Sequence, residues 1–331
     1  MQPYKQMDIN PNLQKELRDS LAEALSREPA KKPQLKGLCV NLVQMYDATT
    51  PGKRRYIGVY GQQKAGKSTL FNSIVGEEVL PVSDTPTTGS LIDLVRNPDA
   101  KAYVVSGYRN GEQSVPKSFS TAKATSDYLA MVAAQVDPFD RVTVEAPFPH
   151  SNKLMSAWCV LRDTPGAIAN PEDALQERLK EDSRKTLASL DEVCIPIFCV
   201  NAETVGAADD LELYNNHLKN RLCLHVLTHQ DGGAKDETIQ DFYEKFHIVP
   251  DLISENPVIC TGKTDMEKPY VDIGLEELTM RMEAFLDRES LANKMLSMAQ
   301  FICQKYKNED LPWYIDKTLI DRLKRIMDKI L

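Results

Sequence analysis

Gly61-Gln62-Gln63-Lys64-Ala65-Gly66-Lys67-Ser68 satisfies G-x-x-x-x-G-K-[ST], with Thr69 behind it. Each fixed position has a chemical reason. Gly61 and Gly66 permit a tight loop whose backbone N–H groups surround phosphates, Lys67 reaches the β- and γ-phosphates, and Ser68 offers a hydroxyl to Mg²⁺. An apolar run over 56–60 precedes the octet and Leu70-Phe71 follows it, the strand-to-helix context that such a loop needs. The cradle alone does not choose between ATP and GTP.

A second phosphate-sensing loop follows in the chain. Leu161-Arg162-Asp163-Thr164-Pro165-Gly166 closes an apolar run with D-x-x-G, where Asp163 can hold Mg²⁺ through water and the Gly166 N–H can meet the γ-phosphate. An Asp-capped turn would use the same residues. Between the two loops, 80–89 is polar and rich in Pro and Thr. A threonine there can place its hydroxyl on Mg²⁺ and its N–H on the γ-phosphate, coupling loop order to the triphosphate.

Taken together, GQQKAGKST, the 80–88 loop and DTPG resemble the G domain of dynamin-family GTPases, above all the bacterial dynamin-like branch. The resemblance covers 54–266. It implies GTP and GDP as ligands, Mg²⁺ held by Ser68, Asp163 and a switch threonine that follows a Leu-Pro pair, and flanking helices paired into a neck. Thr88 is the best match for that threonine, with Thr87 competing.

The base-reading motif departs from the family pattern. Thr228-His229-Gln230-Asp231 stands in the place of [NT]-K-x-D. Asp231 can accept the guanine N1–H and N2–H₂ donors, which adenine does not supply. His229 replaces the lysine whose stem lies along the base, leaving a flatter, titratable cover. Thr261-Gly262-Lys263 fits either a fifth, base-backing loop or a plain turn.

Hydrolysis needs a group to orient water, and Ala167-Ile168-Ala169 after DTPG cannot supply one. In the family that aid comes from a Gln-Ser pair in the phosphate loop, which also holds a monovalent cation, K⁺ or Na⁺, when two G domains meet. Gln63 matches the Gln; Lys64 stands where the Ser would be. Lys64 either substitutes for the cation by offsetting phosphate charge or is a solvated lysine that raises the local potential. The expected catalytic set is therefore Gln63, Lys64, Lys67 and Thr88.

The elements that must position these residues are short apolar runs at 56–60, 90–95, 102–105, 142–146, 159–161, 195–200, 222–227 and 257–260. Amphipathic helices are predicted at 67–75, 121–135, 171–190, 209–219 and 236–246. This alternation predicts an α/β phosphate-loop NTPase: a mostly parallel sheet with helices on both faces and ligand loops at the carboxyl ends of its strands. Helical patterns also lie at both ends, giving expected divisions of 1–50, 51–272 (the G domain) and 273–331. The last of these carries a basic amphipathic helix, whose readings are bundle packing or rest on anionic membrane. Because the pattern stops in mid-helix at Ile330-Leu331, a truncated chain or a missing stalk is expected.

With 331 residues, 42% hydrophobic, the chain can bury a sizeable core, and its net charge of -8 disfavours broad binding to nucleic acid. Seven scattered cysteines fit small buried hydrophobes in a reducing compartment rather than disulfides or a metal site. No apolar leader or spanning stretch is present, so the expected setting is cytoplasmic, with peripheral membrane contact. G-domain homodimerisation, or pairing with a related dynamin-like partner, is the expected assembly. A ribosome- or RNA-associated GTPase and a non-hydrolysing nucleotide-binding scaffold are the competing functional classes.

Overall fold

The computed structural model describes residues 54–82, 89–133, 139–148, 159–166, 177–219, 221, 223–231, 235–248, 257–265 and 270–286, with 15, 16 and 19 in a helix. The predicted helices over most of 1–50 and beyond 286, the Thr87 and Thr88 positions, and Ala167-Ile168-Ala169 lie outside the described residues. Chain order is β1 (Arg55–Tyr60), α1 (Lys67–Val75), β2 (Leu91–Arg96), β3 (Tyr103–Arg109), β4 (Glu112–Gln113), β5 (Lys117–Phe119), α2 (Ala122–Ala133), β6 (Arg141–Ala146) and β7 (Cys159–Asp163). It continues through α3 (Glu177–Ser189), β8 (Ile195–Asn201), α4 (Ala208–Leu213), β9 (Leu224–Thr228), α5 (Asp236–Lys245), β10 (Ile259–Cys260) and α6 (Leu275–Leu286).

These strands form one ten-stranded sheet in the order β10-β9-β8-β1-β7-β2-β6-β3-β4, with β5 paired to β3. Pairs β10/β9, β9/β8, β8/β1, β1/β7 and β2/β6 are parallel, whereas β2 runs antiparallel to β7 and β3 to β6. The sheet is therefore mixed and mostly parallel, as expected for a phosphate-loop GTPase fold. The short β4 and β5 strands were not predicted; they are only two and three residues long and carry no apolar alternation.

Period-two alternation divides the apolar side chains between two faces. On β1, Ile57 and Val59 enter one core with Leu70, Phe71 and Ile74 of α1; Tyr60 enters the other, with Phe198, Tyr214, Phe242 and Phe246. Likewise β8 sends Ile195, Ile197 and Cys199 to the first face, and Phe198 and Val200 to the second. Covered on both sides, β1 ends at the phosphate loop in a buried position.

One helix differs from its predicted form. The 209–219 pattern is α4 followed by a π-helical turn, Tyr214–Leu218, which keeps Leu213, Tyr214 and Leu218 all buried. From the stretch assigned to the C-terminal helices, α6 packs Leu278 and Met282 into the same core as α1. Just before it, the Val271 N–H donates to Ser73 Oγ of α1 at 2.8 Å.

Candidate functional site

The phosphate loop lies between the buried end of β1 and the N-terminus of α1. Gly61, at φ 147°, passes so close to β8 that a Cβ would stand 2.2 Å from the Cys199 carbonyl oxygen. No side chain caps α1. The N–H groups of its first turn therefore have no side-chain cap among the described residues and can meet an anion, aided by the helix dipole. Ala65 is buried against the sheet, while Gln63 and Lys64 are exposed on the outer lip. Lys64 adopts a left-handed φ of 63°, which an L-residue rarely takes.

Lys67 is buried, and its Nζ donates to the carbonyls of Gly61 at 3.1 Å and Gln62 at 2.7 Å. An ammonium has three donors, so one is left for a phosphate oxygen. Burial lowers the Lys67 pKa, opposed chiefly by the Asp163 charge and then by Cys199 and Asp210. The ammonium is thus pre-aimed by the loop that it serves.

Ser68 Oγ donates to Asp163 Oδ2 at 2.7 Å. Asp163 is fully buried, and its other oxygen finds no hydrogen-bond partner among the described residues. Burial raises its pKa to about 6, with Lys67 and Ser68 pulling it back. A hydroxyl and a carboxylate with a spare lone pair are hard oxygen donors of the kind Mg²⁺ takes when phosphates and water complete its shell. Among the described residues no group of three or more His, Cys, Asp or Glu side chains could hold a metal alone, so nucleotide oxygens would have to share this one.

The DTPG loop is pinned at two points. Thr164 Oγ1 donates to the Val59 carbonyl at 2.6 Å, and Thr186 Oγ1 of α3 donates to the Pro165 carbonyl at 3.1 Å. Gly166 then comes against the phosphate loop: a Cβ there would stand 2.3 Å from Gln63 Cγ and 2.6 Å from the Gln63 nitrogen. Only a glycine lets the two loops approach this closely.

The predicted base-reading residues gather at the same end of the sheet. Thr228 Oγ1 lies 3.0 Å from the Ala65 carbonyl, 3.2 Å from that of Val200 and 3.0 Å from His229 Nδ1. Its one proton goes to a carbonyl, so the hydroxyl accepts from His229, which assigns the imidazole proton to Nδ1. His229 is exposed at φ 60°, and its Cε1 would be 3.4 Å from a Cβ on Gly66. Asp231 Oδ1 accepts from the Lys263 N–H at 2.9 Å, while the Gln230 N–H donates to the Thr261 carbonyl at 3.1 Å. The 228–231 and 261–263 segments are therefore stitched together, although the Thr261 side chain is spent internally, donating to the Leu227 carbonyl at 3.4 Å.

A family model for the dynamin family matches residues 57–229, over half of the chain. The chain belongs to the dynamin family. Among solved structures it is similar to a bacterial dynamin, described as an oligomerised pair that provides a mechanism for long-range sensing and tethering of membranes. Identity is 17% and the TM-score 0.50, over 90% of this chain and 57% of the bacterial dynamin's. A second structure of that pair matches at 16% identity and a TM-score of 0.48, over 95% and 58%. Era of Aquifex aeolicus bound to GDP·AlF₄⁻ matches at 16% identity and a TM-score of 0.40, over 71% and 57%. No curated protein matches the sequence. This dynamin spans less than two thirds of the length of those structures.

Two charged residues of the dynamin site escaped the motif reading. Arg162, within β7, is fully buried between Asp93, bonded at 2.7 and 3.0 Å, and Glu192 at 2.5 Å, and it covers the Tyr56 ring at 4.6 Å. It ties the strand ending in Asp163 to its antiparallel neighbour β2. Asp210 of α4 is buried beside Gln62 and Lys67. Neither belongs to a linear motif; only an arginine inside an apolar run and a paired Asp209-Asp210 mark them in the sequence.

Proposed function

We propose that this dynamin is a Mg²⁺-dependent GTPase that hydrolyses GTP to GDP and phosphate, with G-domain pairing and movement of flanking helices following the nucleotide state. The observation that carries the reading is the Thr228–Ala65 contact, which seats the guanine-reading segment directly on the phosphate loop. A base held by Asp231 and phosphates held by Lys67 would belong to one ligand.

In this reading Gly61 to Thr69 wrap the phosphates with backbone N–H groups, Lys67 donates its remaining proton to the β/γ oxygens, and Gly166 presents its N–H to the γ-phosphate. Ser68, Asp163 and Thr88 hold Mg²⁺, which when bound neutralises charge developing on the phosphate oxygens. Asp231 selects guanine, with its carboxylate oriented by the Lys263 N–H. Gln63, at the lip against Gly166, orients the water, and Lys64 beside it offsets phosphate charge in cis or across a G-domain pair, in place of K⁺ or Na⁺.

Pairing, a cytoplasmic setting and peripheral contact with a membrane complete the proposal. They draw support from the family and from what the similar bacterial dynamin pair is described as doing. GTP and ATP turnover measured across protein concentration tests the reading. The expected result is slow GTP turnover that rises per molecule with concentration; turnover absent at every concentration would leave a non-hydrolysing scaffold instead.

A further inference from the structure

Asp210 has the placement of a working group rather than of a surface acid. It occupies the first turn of α4, where a carboxylate would ordinarily sit in solvent and complement the helix dipole. Instead it is 2% exposed and turned toward the phosphate loop, where the Gln62 N–H and side-chain amide face its carboxylate. Asp210 Oδ1 and Gln62 Nε2 are each buried without a well-formed hydrogen bond to a described residue. A buried acceptor and a buried donor left incomplete side by side cost stability, which a small shift of the loop would recover.

The segment that carries Asp210 is held firmly. Asn201 Oδ1 accepts from the Glu203 N–H at 2.9 Å, and Lys245 Nζ of α5 donates to the Val205 carbonyl at 2.9 Å. The Ala207 N–H donates to the Thr204 carbonyl at 3.0 Å, and Tyr214 stacks on Phe198 at 5.6 Å. The carboxylate is therefore a fixed post, and Gln62 is the part able to move against it.

We propose that Asp210 is a positioning residue of the phosphate loop: it seats the Gln62 wall of the cradle, and its negative charge opposes nucleotide phosphate at Lys67. The inference rests on nucleotide occupying this loop. The ionisable groups around Asp210 are Lys67 of α1, Asp209 of its own helix and Cys199 of β8. Burial, the dominant cause, raises its pKa to about 7, with Lys67 and Gln62 opposing and Asp209 adding to the rise. The carboxyl thus changes charge near neutrality, and protonation removes a repulsion from incoming phosphate while keeping an oxygen for Gln62.

The test is binding of a fluorescent GDP analogue between pH 5.5 and 8.5, in EDTA so that the Mg²⁺ ligands do not contribute, to wild type, Asp210→Asn, Asp210→Ala and Gln62→Ala. Wild-type affinity should rise severalfold toward low pH, and Asp210→Asn should hold the low-pH affinity throughout. Asp210→Ala, which also lacks the titrating charge, should bind without a pH slope and about tenfold more weakly than Asp210→Asn, a step of roughly 1.4 kcal/mol, and adding Gln62→Ala to it should cost nothing more. If the Ala variant does not fold, the pH slopes of wild type and Asp210→Asn decide alone. Equal slopes in those two, or an Asn variant no better than Ala, would overturn the role of Asp210 while leaving the nucleotide reading intact. Failure of wild type to bind the GDP analogue would overturn both.

Discussion

Ser68 Oγ and Asp163 Oδ2, 2.7 Å apart, join the first turn of α1 to the last residue of β7. The bond holds two candidate Mg²⁺ ligands from distant parts of the chain at coordinating separation. Ser68→Ala strips Asp163 of its side-chain partner, and should cost the nucleotide-free protein about 1–3 kcal/mol in denaturant unfolding. It should also remove most of the gain in GDP affinity that Mg²⁺ gives wild type, as titration with and without EDTA would report.

Gly166 and Gln63 meet without room for a methyl group. Gly166→Ala should push the two loops apart by an ångström or so and lower GTP turnover by about 10²-fold. GDP affinity, which does not involve the γ-phosphate loop, should change far less. Comparable losses in both would show that the loops do not divide the work in this way.

Lys64 combines exposure with a left-handed backbone. Replacing it by Gly relieves a conformational cost of roughly 1 kcal/mol, whereas Ala keeps that cost; both delete the charge. Stability should therefore rise only in Lys64→Gly, while turnover should fall in both variants and recover in part with added K⁺. Unchanged turnover and an unchanged K⁺ response in both variants would show that the ammonium has no catalytic part.

Asp231 is oriented by Lys263, and His229 covers the place of a lysine stem. Asp231→Ala should erase the preference for GTP over ATP in competition binding, and His229→Lys should sharpen it. A His229→Lys variant with wild-type selectivity would count against the imidazole as the weak point of base recognition.

His225, on β9, is buried against Tyr214 and Phe242, with Nδ1 unpartnered among the described residues. Burial lowers its pKa to about 4, below the usual 6.5. The unfolded chain therefore takes up a proton between these values that the folded chain refuses, so this site's contribution falls as pH drops from about 6.5 to 4. His225→Phe should abolish that loss. Relative to wild type it should gain about 2 kcal/mol more at pH 5 than at pH 8, read from urea midpoints at the two pH values.

The strand-and-loop framework was readable because its signals are local. The apolar run before Gly61 is β1, and 67–75 is α1 to the residue, since one loop signature fixes both boundaries. The positions of Asp163 and Thr228 were legible for the same reason, each closing an apolar strand, and Asp231 follows three residues after Thr228. Asp210 and Arg162 were not, because their partners are set by how β8 and β2 pair around β1 and β7. The antiparallel entry of β2 was equally invisible: an apolar run has no direction. α6 shows a similar limit, since its periodicity gave a helix but not the face of the sheet that receives Leu278 and Met282.

Ser73 lies near the end of α1 opposite Lys67 and Ser68, and its hydroxyl holds the Val271 N–H. One nine-residue helix, about 13 Å long, thus has the candidate phosphate and Mg²⁺ ligands at one end and a hydrogen bond to the segment leading into α6 at the other. It is a rigid strut. A tilt of its first turn, if γ-phosphate binding causes one, would be carried along the helix to Val271, four residues before α6 begins.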